Sequence, residues 1–334
     1  MTVESNWQKE LATAFTAPED LLHYLNLPVE DFTQDIKARR LFPMRVPRHF
    51  AELMTPGDPN DPLLLQVLPS AEEFDTPEGY VLDPLEEQNT QKPGLLHKYK
   101  SRVLLIVRGG CAVNCRYCFR RHFPYADNSP NTRDWENVLS AIQADAQINE
   151  VIFSGGDPLM AKDIHLANLA QKICSIPHIK RLRIHTRLPV VMPNRIDGDF
   201  TQWFAKLPLQ RIMVLHINHA NEVSASLKRK LQLLQEAGIT LLNQAVLLRG
   251  INDTVDAQVR LSESLFDAGI LPYYLHVLDK VQGTAHFDLE TAHATQLMRD
   301  VSAELPGFLV PKLVREVGGK RSKSQLDLHM LAND

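Results

Sequence analysis

The sequence predicts an α/β protein: a partial, open-sided (β/α)6 barrel carrying an N-terminal helical and irregular layer. Three observations carry that expectation. Short β-rich apolar runs start near Val103 (VLLIV), Val151 (VIF), Leu182 (LRIHT), Ile212 (IMVLHI), Leu241 (LLNQAVLL) and Leu271 (LPYYLHVL). Amphipathic helical stretches near 133–147, 162–176, 198–206, 223–237, 254–268 and 290–304 alternate with them. Apolar runs alternating with helices signal parallel βαβ units whose strands are buried on both faces. Finally, six units fall short of the eight that close a barrel. An open doubly wound sheet is the alternative, and in either case chemistry belongs at the C-terminal ends of the strands.

The flanking regions read differently. Residues 1–95 hold helix starts with acidic first turns, such as Ala17-Pro-Glu-Asp and Pro28-Val-Glu-Asp, and then prolines at 43, 47, 56, 59, 62 and 69. This predicts short helices and loops, followed by the barrel over 96–323 and a short tail over 324–334. A last apolar run (FLVPKLV) starts at Phe308.

Composition narrows the function classes. The 334 residues include 36 basic and 40 acidic side chains, a net charge of −4, which argues against a nucleic-acid binder working through a basic face. With 44% apolar and 23% charged residues the chain can fill a core and is not globally disordered. No run of eighteen apolar residues suggests a membrane span, and the N-terminus lacks the basic-then-apolar pattern of a leader. Of four cysteines, three stand at 111, 115 and 118 and the fourth at 174. That clustering does not suit a disulfide framework and points to a reducing cytoplasmic compartment.

Cys111, Cys115 and Cys118 form C-x3-C-x2-C directly after the first predicted strand. Thiolates are soft ligands for iron–sulfur clusters or zinc, and three of them leave one iron of a [4Fe–4S] cluster open to a small molecule. A zinc site completed by His122 is the competing reading. Cys174 falls at helical spacing from Leu166 and Ala170 and reads as core. Ser154-Gly155-Gly156-Asp157-Pro158 ends the second strand, where two glycines let backbone approach a ligand closely. His216 and Gln244 also stand at strand ends. His97-Lys98-Tyr99-Lys100-Ser101-Arg102 reads as a basic turn before the first strand. Gly318-Gly319-Lys320 is not a phosphate-binding P-loop, since Arg321 stands where Ser or Thr belongs.

Cys111-Ala-Val-Asn-Cys-Arg-Tyr-Cys-Phe-Arg-Arg, taken with Ser154-Gly-Gly-Asp-Pro-Leu, resembles the lysine 2,3-aminomutase family of the radical S-adenosylmethionine (SAM) superfamily. The likeness runs from about residue 40 to residue 323, and lies toward members that supply β-lysine for modifying elongation factor P. It implies a radical SAM barrel, a [4Fe–4S] cluster on the three cysteines, SAM, and pyridoxal phosphate (PLP). It further implies SAM contacts from Gly155, Gly156, Asp157, His216 and Gln244, with Tyr117 packed on the adenine. Lys320 would form the PLP Schiff base, and Lys98 and Arg102 would contact PLP. Arg120 would hold the substrate α-carboxylate and Asp279 the ε-ammonium of L-lysine. A second family aspartate is expected about seven residues before the PLP lysine. Leu313 takes that place and cannot pair with a cation, so Glu316 is the candidate substitute. An external one-electron reductant, such as a flavodoxin, is implied as well. The alternatives are a radical SAM aminomutase for another amino acid, a non-catalytic iron–sulfur redox sensor, and a scaffold that docks elongation factor P.

Overall fold

The computed structural model describes residues 6–88, 92–128 and 130–328. The last six residues of the expected C-terminal tail lie outside that set. One sheet runs in linear order through β1 (Leu95–Tyr99), β2 (Arg102–Arg108), β3 (Glu150–Gly155), β4 (Arg181–Thr186), β5 (Gln210–Leu215), β6 (Thr240–Val246), β7 (Leu271–His276), β8 (Lys312–Arg315) and β9 (Ser324–Gln325). Each neighbouring pair from β2 to β8 is parallel, while β1 and β9 close the two edges antiparallel. The sheet is therefore the expected partial barrel, with β8 as a further parallel strand.

The six crossover helices are Thr132–Ala144, Asp163–Cys174, Gly198–Ala205, Ala225–Glu236, Val255–Asp267 and Thr291–Glu304. Local chemistry starts several of them. The Asn131 side chain accepts from the Arg133 and Asp134 amides while Asp134 returns a bond to the Asn131 amide. Asp197, Ser224 and Thr254 cap three more helices. Each such cap contributes about 1 kcal/mol by satisfying an otherwise unpaired amide. Leu227, Leu231 and Leu234 show the buried stripe that holds a helix to the strands.

Three local readings change. The basic stretch before the first strand is itself a strand, β1, turning into β2 through a Tyr99–Arg102 pair. The last apolar run makes a 3-10 turn at Gly307–Leu309 and becomes a strand only after Pro311, which cannot donate to the ladder. The strands are also not apolar on both faces. In β4, Leu182 and Ile184 are buried in the hydrophobic core, whereas Arg183, His185 and Thr186 line a cavity in the lumen. A closed barrel fills its lumen with branched side chains; this open one sets polar groups such as Arg183 and His185 among apolar ones such as Leu104 and Ile152.

The N-terminal layer shares its core with the barrel, since Trp7, Leu21, Leu22, Phe50, Leu63 and Leu64 join one hydrophobic cluster with Val103, Phe153 and Leu182. It also carries a buried charge across the boundary. Glu73 Oε1 accepts from Arg116 Nε at 2.7 Å, and Glu73 Oε2 accepts from Arg121 Nη2 at 2.6 Å. Arg116 and Arg121 belong to the cysteine loop, so the layer holds that loop through a desolvated ion pair. No helix among the described residues is long and apolar enough to cross a membrane. Neutralising Glu73 strands two buried guanidinium groups, a loss of about 3–5 kcal/mol for pairs of this kind. Glu73→Gln is expected to show that deficit in chemical denaturation. A transition matching the parent would show that the pair does not hold the layer.

Candidate active site

The expected chemistry converges on one cavity of about 250 Å³ inside the barrel. Cys111, Cys115 and Cys118 line its wall beyond the end of β2. The loop that carries them is pinned to the N-terminal layer: Asn114 N donates to Arg45 O at 3.1 Å, and Arg116 N donates to Gln66 O at 2.8 Å. Burial and then the neighbouring cysteines push both the Cys111 and Cys118 thiols up, Cys118 to about 11. Arg187 donates from Nη1 to Cys115 Sγ at 2.8 Å and from Nη2 to Gln66 and to Glu222, the latter at 2.9 Å. Tyr117 lines the cavity, but its hydroxyl accepts from Arg187 and from Asn218 Nδ2, and its ring meets Phe287 edge-on. Cys174 packs against the core at the end of its helix, and His122 Nε2 lies 3.3 Å from the Gln282 carbonyl.

The glycines of the Ser154–Asp157 turn are required, though for a different approach from the one expected. A Cβ on Gly155, whose φ is +132°, would stand 2.2 Å from the Arg108 carbonyl oxygen. One on Gly156 would stand 2.7 Å from that of Gly109. The turn instead docks on the cysteine loop, with Gly156 N donating to Arg108 O at 2.7 Å and Asp157 N to Gly110 O at 3.0 Å. The Asp157 carboxylate accepts from Thr186 Oγ1 and from the Leu159, Arg187 and Leu188 amides, all within 3.0 Å. These groups face the cavity, yet the two amides and the carboxylate are already engaged.

His216 Nε2 and Gln244 Nε2 sit 3.2 Å apart on the same wall. Burial, and then Arg187, lower His216 to about 3. Two histidines that the sequence reading passed over stand beside them. His185 on β4 and His276 on β7 also line the cavity, each with a buried Nε2 that has no hydrogen-bond partner among the described residues. Burial depresses both, His276 to about 3. The signal for them was present: a polar residue at an inward position of an otherwise apolar strand.

A chain of alternating charges begins beside the cysteines, at Arg120. Arg120 donates from Nε to Glu87 Oε2 at 2.6 Å and from Nη2 to Glu87 Oε1 at 3.1 Å. Lys98 Nζ lies 2.8 Å from Glu87 and 3.4 Å from Glu316. Glu316 also accepts from Tyr99 OH at 3.0 Å and pairs closely with Lys323. Burial alone would raise Glu316, but Lys323 and Lys98 bring it down to about 2. Asp279 goes the other way, pushed up to about 7 by burial and then by Glu316. Arg102 lies over the Tyr99 ring at 4.0 Å and lines the same cavity.

One expected residue is misplaced. Lys320 is exposed and is not among the residues lining the cavity, whereas Lys323 is. The cause is the hairpin between β8 and β9. Val314 pairs with Gln325 and Arg315 with Ser324, so the register sets Glu316 opposite Lys323. Gly319, at φ +72°, turns the tip outward and carries Lys320 into solvent. Leu313 is buried in the core from β8 and cannot face a cation.

The donor sets suit the groups the sequence implies. Three thiols on one wall match an iron–sulfur cluster, while orphaned imidazole nitrogens and the lining cations Lys98, Arg102 and Lys323 match polar cofactors with an anionic group. Comparison with known proteins agrees. Residues 105–257 match the model of the Radical SAM superfamily. The chain is 53% identical to the L-lysine 2,3-aminomutase of Escherichia coli over 97% of its own length and 95% of that protein. It is 51% identical to the protein of the same name from Haemophilus influenzae, across 96% and 95% of the two chains. Against the L-lysine 2,3-aminomutase of Clostridium subterminale the identity is 32%, over 96% of this chain and 77% of that one.

The Asp279 shift has a thermodynamic sign. The folded protein keeps that proton up to about pH 7, whereas an unfolded aspartate releases it near ~3.9. Between those values the native state binds more protons, so stability falls as pH rises. Asp279→Asn removes that loss. Its melting temperature is expected to exceed the parent's at pH 8 and to match it near pH 4. Equal melting temperatures at both pH values would show that Asp279 does not carry the strain.

Proposed function

We propose, because this chain belongs to the L-lysine 2,3-aminomutase family of radical SAM proteins, that it moves the α-amino group of L-lysine to C3 and yields β-lysine. The observation that carries this reading is the pair Asp279 and Glu316 in the same cavity as three thiols and a lysine. A long cationic side chain is the ligand that would draw a proton off Asp279 and keep both carboxylates ionised.

The family brings a [4Fe–4S] cluster, SAM and PLP. When bound, these supply one-electron bond cleavage and delocalisation that amino-acid side chains cannot provide. Cys111, Cys115 and Cys118 would hold the cluster and leave one iron for SAM. His216 and Gln244 would orient the SAM nucleoside, and Gly155, Gly156 and Asp157 shape the wall behind it. Lys98 and Arg102 would offset the PLP phosphate, and Lys323, in place of Lys320, would anchor the cofactor. That change restores the family spacing: Glu316 stands seven residues before Lys323 (323 − 316), where the second ammonium-binding acid is expected. Arg120 then meets the substrate carboxylate, while Asp279 and Glu316 take its far ammonium. Holding both ends fixes C2 and C3 against the cofactors.

An external one-electron donor of the flavodoxin type, a cytoplasmic setting for three reduced thiols, and delivery of β-lysine to the elongation factor P pathway complete the proposal.

Anaerobic protein reconstituted with iron, sulfide and PLP should convert lysine to β-lysine with SAM and dithionite. Stronger turnover of another amino acid would sink the lysine assignment, and an intact cluster giving neither β-lysine nor SAM cleavage would favour a redox carrier. Lys323→Ala is expected to abolish the roughly 400–430 nm band of lysine-anchored PLP, with Lys320→Ala retaining it. The reverse pattern would return the anchor to Lys320.

A further inference from the structure

Glu87 has no role in the account so far, yet it is 5% exposed and sits between two of the cavity's cations. Its main chain is fixed, since the Asp83 carboxylate accepts from the Glu87 amide at 2.9 Å and from the Gln88 amide at 2.8 Å. Its side chain grips Arg120 along one edge, through Nε and Nη2. On the other side, Arg120 Nη1 donates to Ser154 Oγ at 3.2 Å and Gly155 O at 3.1 Å. A guanidinium has five N–H donors. Two go to Glu87 and two face the turn after β3, so the plane of the group is fixed from both sides. The remaining Nη2 proton is left for a ligand, with Nη1 able to join it once the longer bond to Ser154 gives way. Glu87 also takes Lys98, so its own charge is compensated twice and costs the site little to hold.

We propose that Glu87 is a positioning residue for substrate recognition: it sets the plane of Arg120 so that the free part of the guanidinium meets the carboxylate of an α-amino acid. The inference rests on the reading of Arg120 given above. It bears first on the carboxylate end of the substrate, because Glu87 bonds Arg120 directly and reaches the ammonium end only through Lys98, which lies 3.4 Å from Glu316. Loss of the grip frees the guanidinium to rotate and weakens an oriented, charge-assisted pair.

The test compares Glu87→Gln with the parent holoenzyme using two ligands. L-Lysine carries the carboxylate; cadaverine carries the amines without it. Lysine affinity, by calorimetry and as KM, is expected to weaken about tenfold or more in Glu87→Gln, with a smaller change in kcat. The inhibition constant of cadaverine should stay within about twofold of the parent value. Unchanged lysine affinity would overturn the proposal. So would tighter lysine binding, which would make Glu87 a competitor for Arg120, and so would an equal loss for both ligands with a lowered melting temperature. If Glu87→Gln does not fold, Glu87→Asp, which keeps the charge but shortens the reach, should show the same ligand contrast at smaller size. A parent that binds no lysine would sink the functional reading itself. A parent that binds lysine as well as its Glu87 variant does would sink this inference alone.

Discussion

The mouth of the barrel depends on the Asp157 carboxylate. Among the described residues it has no cationic side chain as a hydrogen-bonding partner, and burial raises its pKa, so hydrogen bonds must keep it in place. Those bonds reach the end of β4 through Thr186, Arg187 and Leu188, while the Asp157 and Gly156 amides reach back to the loop after β2. Three strand ends are thereby fixed to one another. The same contact explains the two glycines, whose missing Cβ atoms allow backbone to meet backbone. Arg187 begins at this joint and ends at Cys115, so the position of a cysteine is inherited from a carboxylate on a different strand.

The N-terminal layer contributes charge as well as cover. The cysteine loop carries Arg116, Arg120 and Arg121, and the carboxylates that meet them, Glu73 and Glu87, both come from the layer. Each is desolvated, so removing either side would leave a buried charge unpaired. The layer therefore does more than close the barrel. It neutralises a strongly basic loop where that loop lies against the cavity.

Within the lumen, neutral and charged polar groups stand side by side. His216 and His276 are held neutral at ordinary pH by burial, and Arg183 lines the same cavity. The carboxylates differ in the same way: Glu316 stays ionised beside Lys323 and Lys98, while Asp279 waits near neutrality. A ligand ammonium is what would tip Asp279 to its charged form, so binding and ionisation are coupled at that position.

The alternation of strands and helices, the cysteine triad, and the placement of chemistry at strand ends were all legible in the sequence, because each is a local pattern. Periodicity over a dozen residues states whether a segment is helix or strand, and three soft ligands in eight residues cannot be far apart. Membership of the lysine 2,3-aminomutase family followed from the same short motifs. What only the tertiary structure decided are the pairings between distant residues. Glu87 meets Arg120 across 33 positions, and Lys98 meets Glu316 across 218. No local pattern records such contacts, because they arise from how strand edges come together. Lys320 and Lys323 make the point at closest range. Both follow the same pair of glycines, but a hairpin register carries one into solvent and turns the other into the cavity, and register is a property of two strands, not of the residues between them.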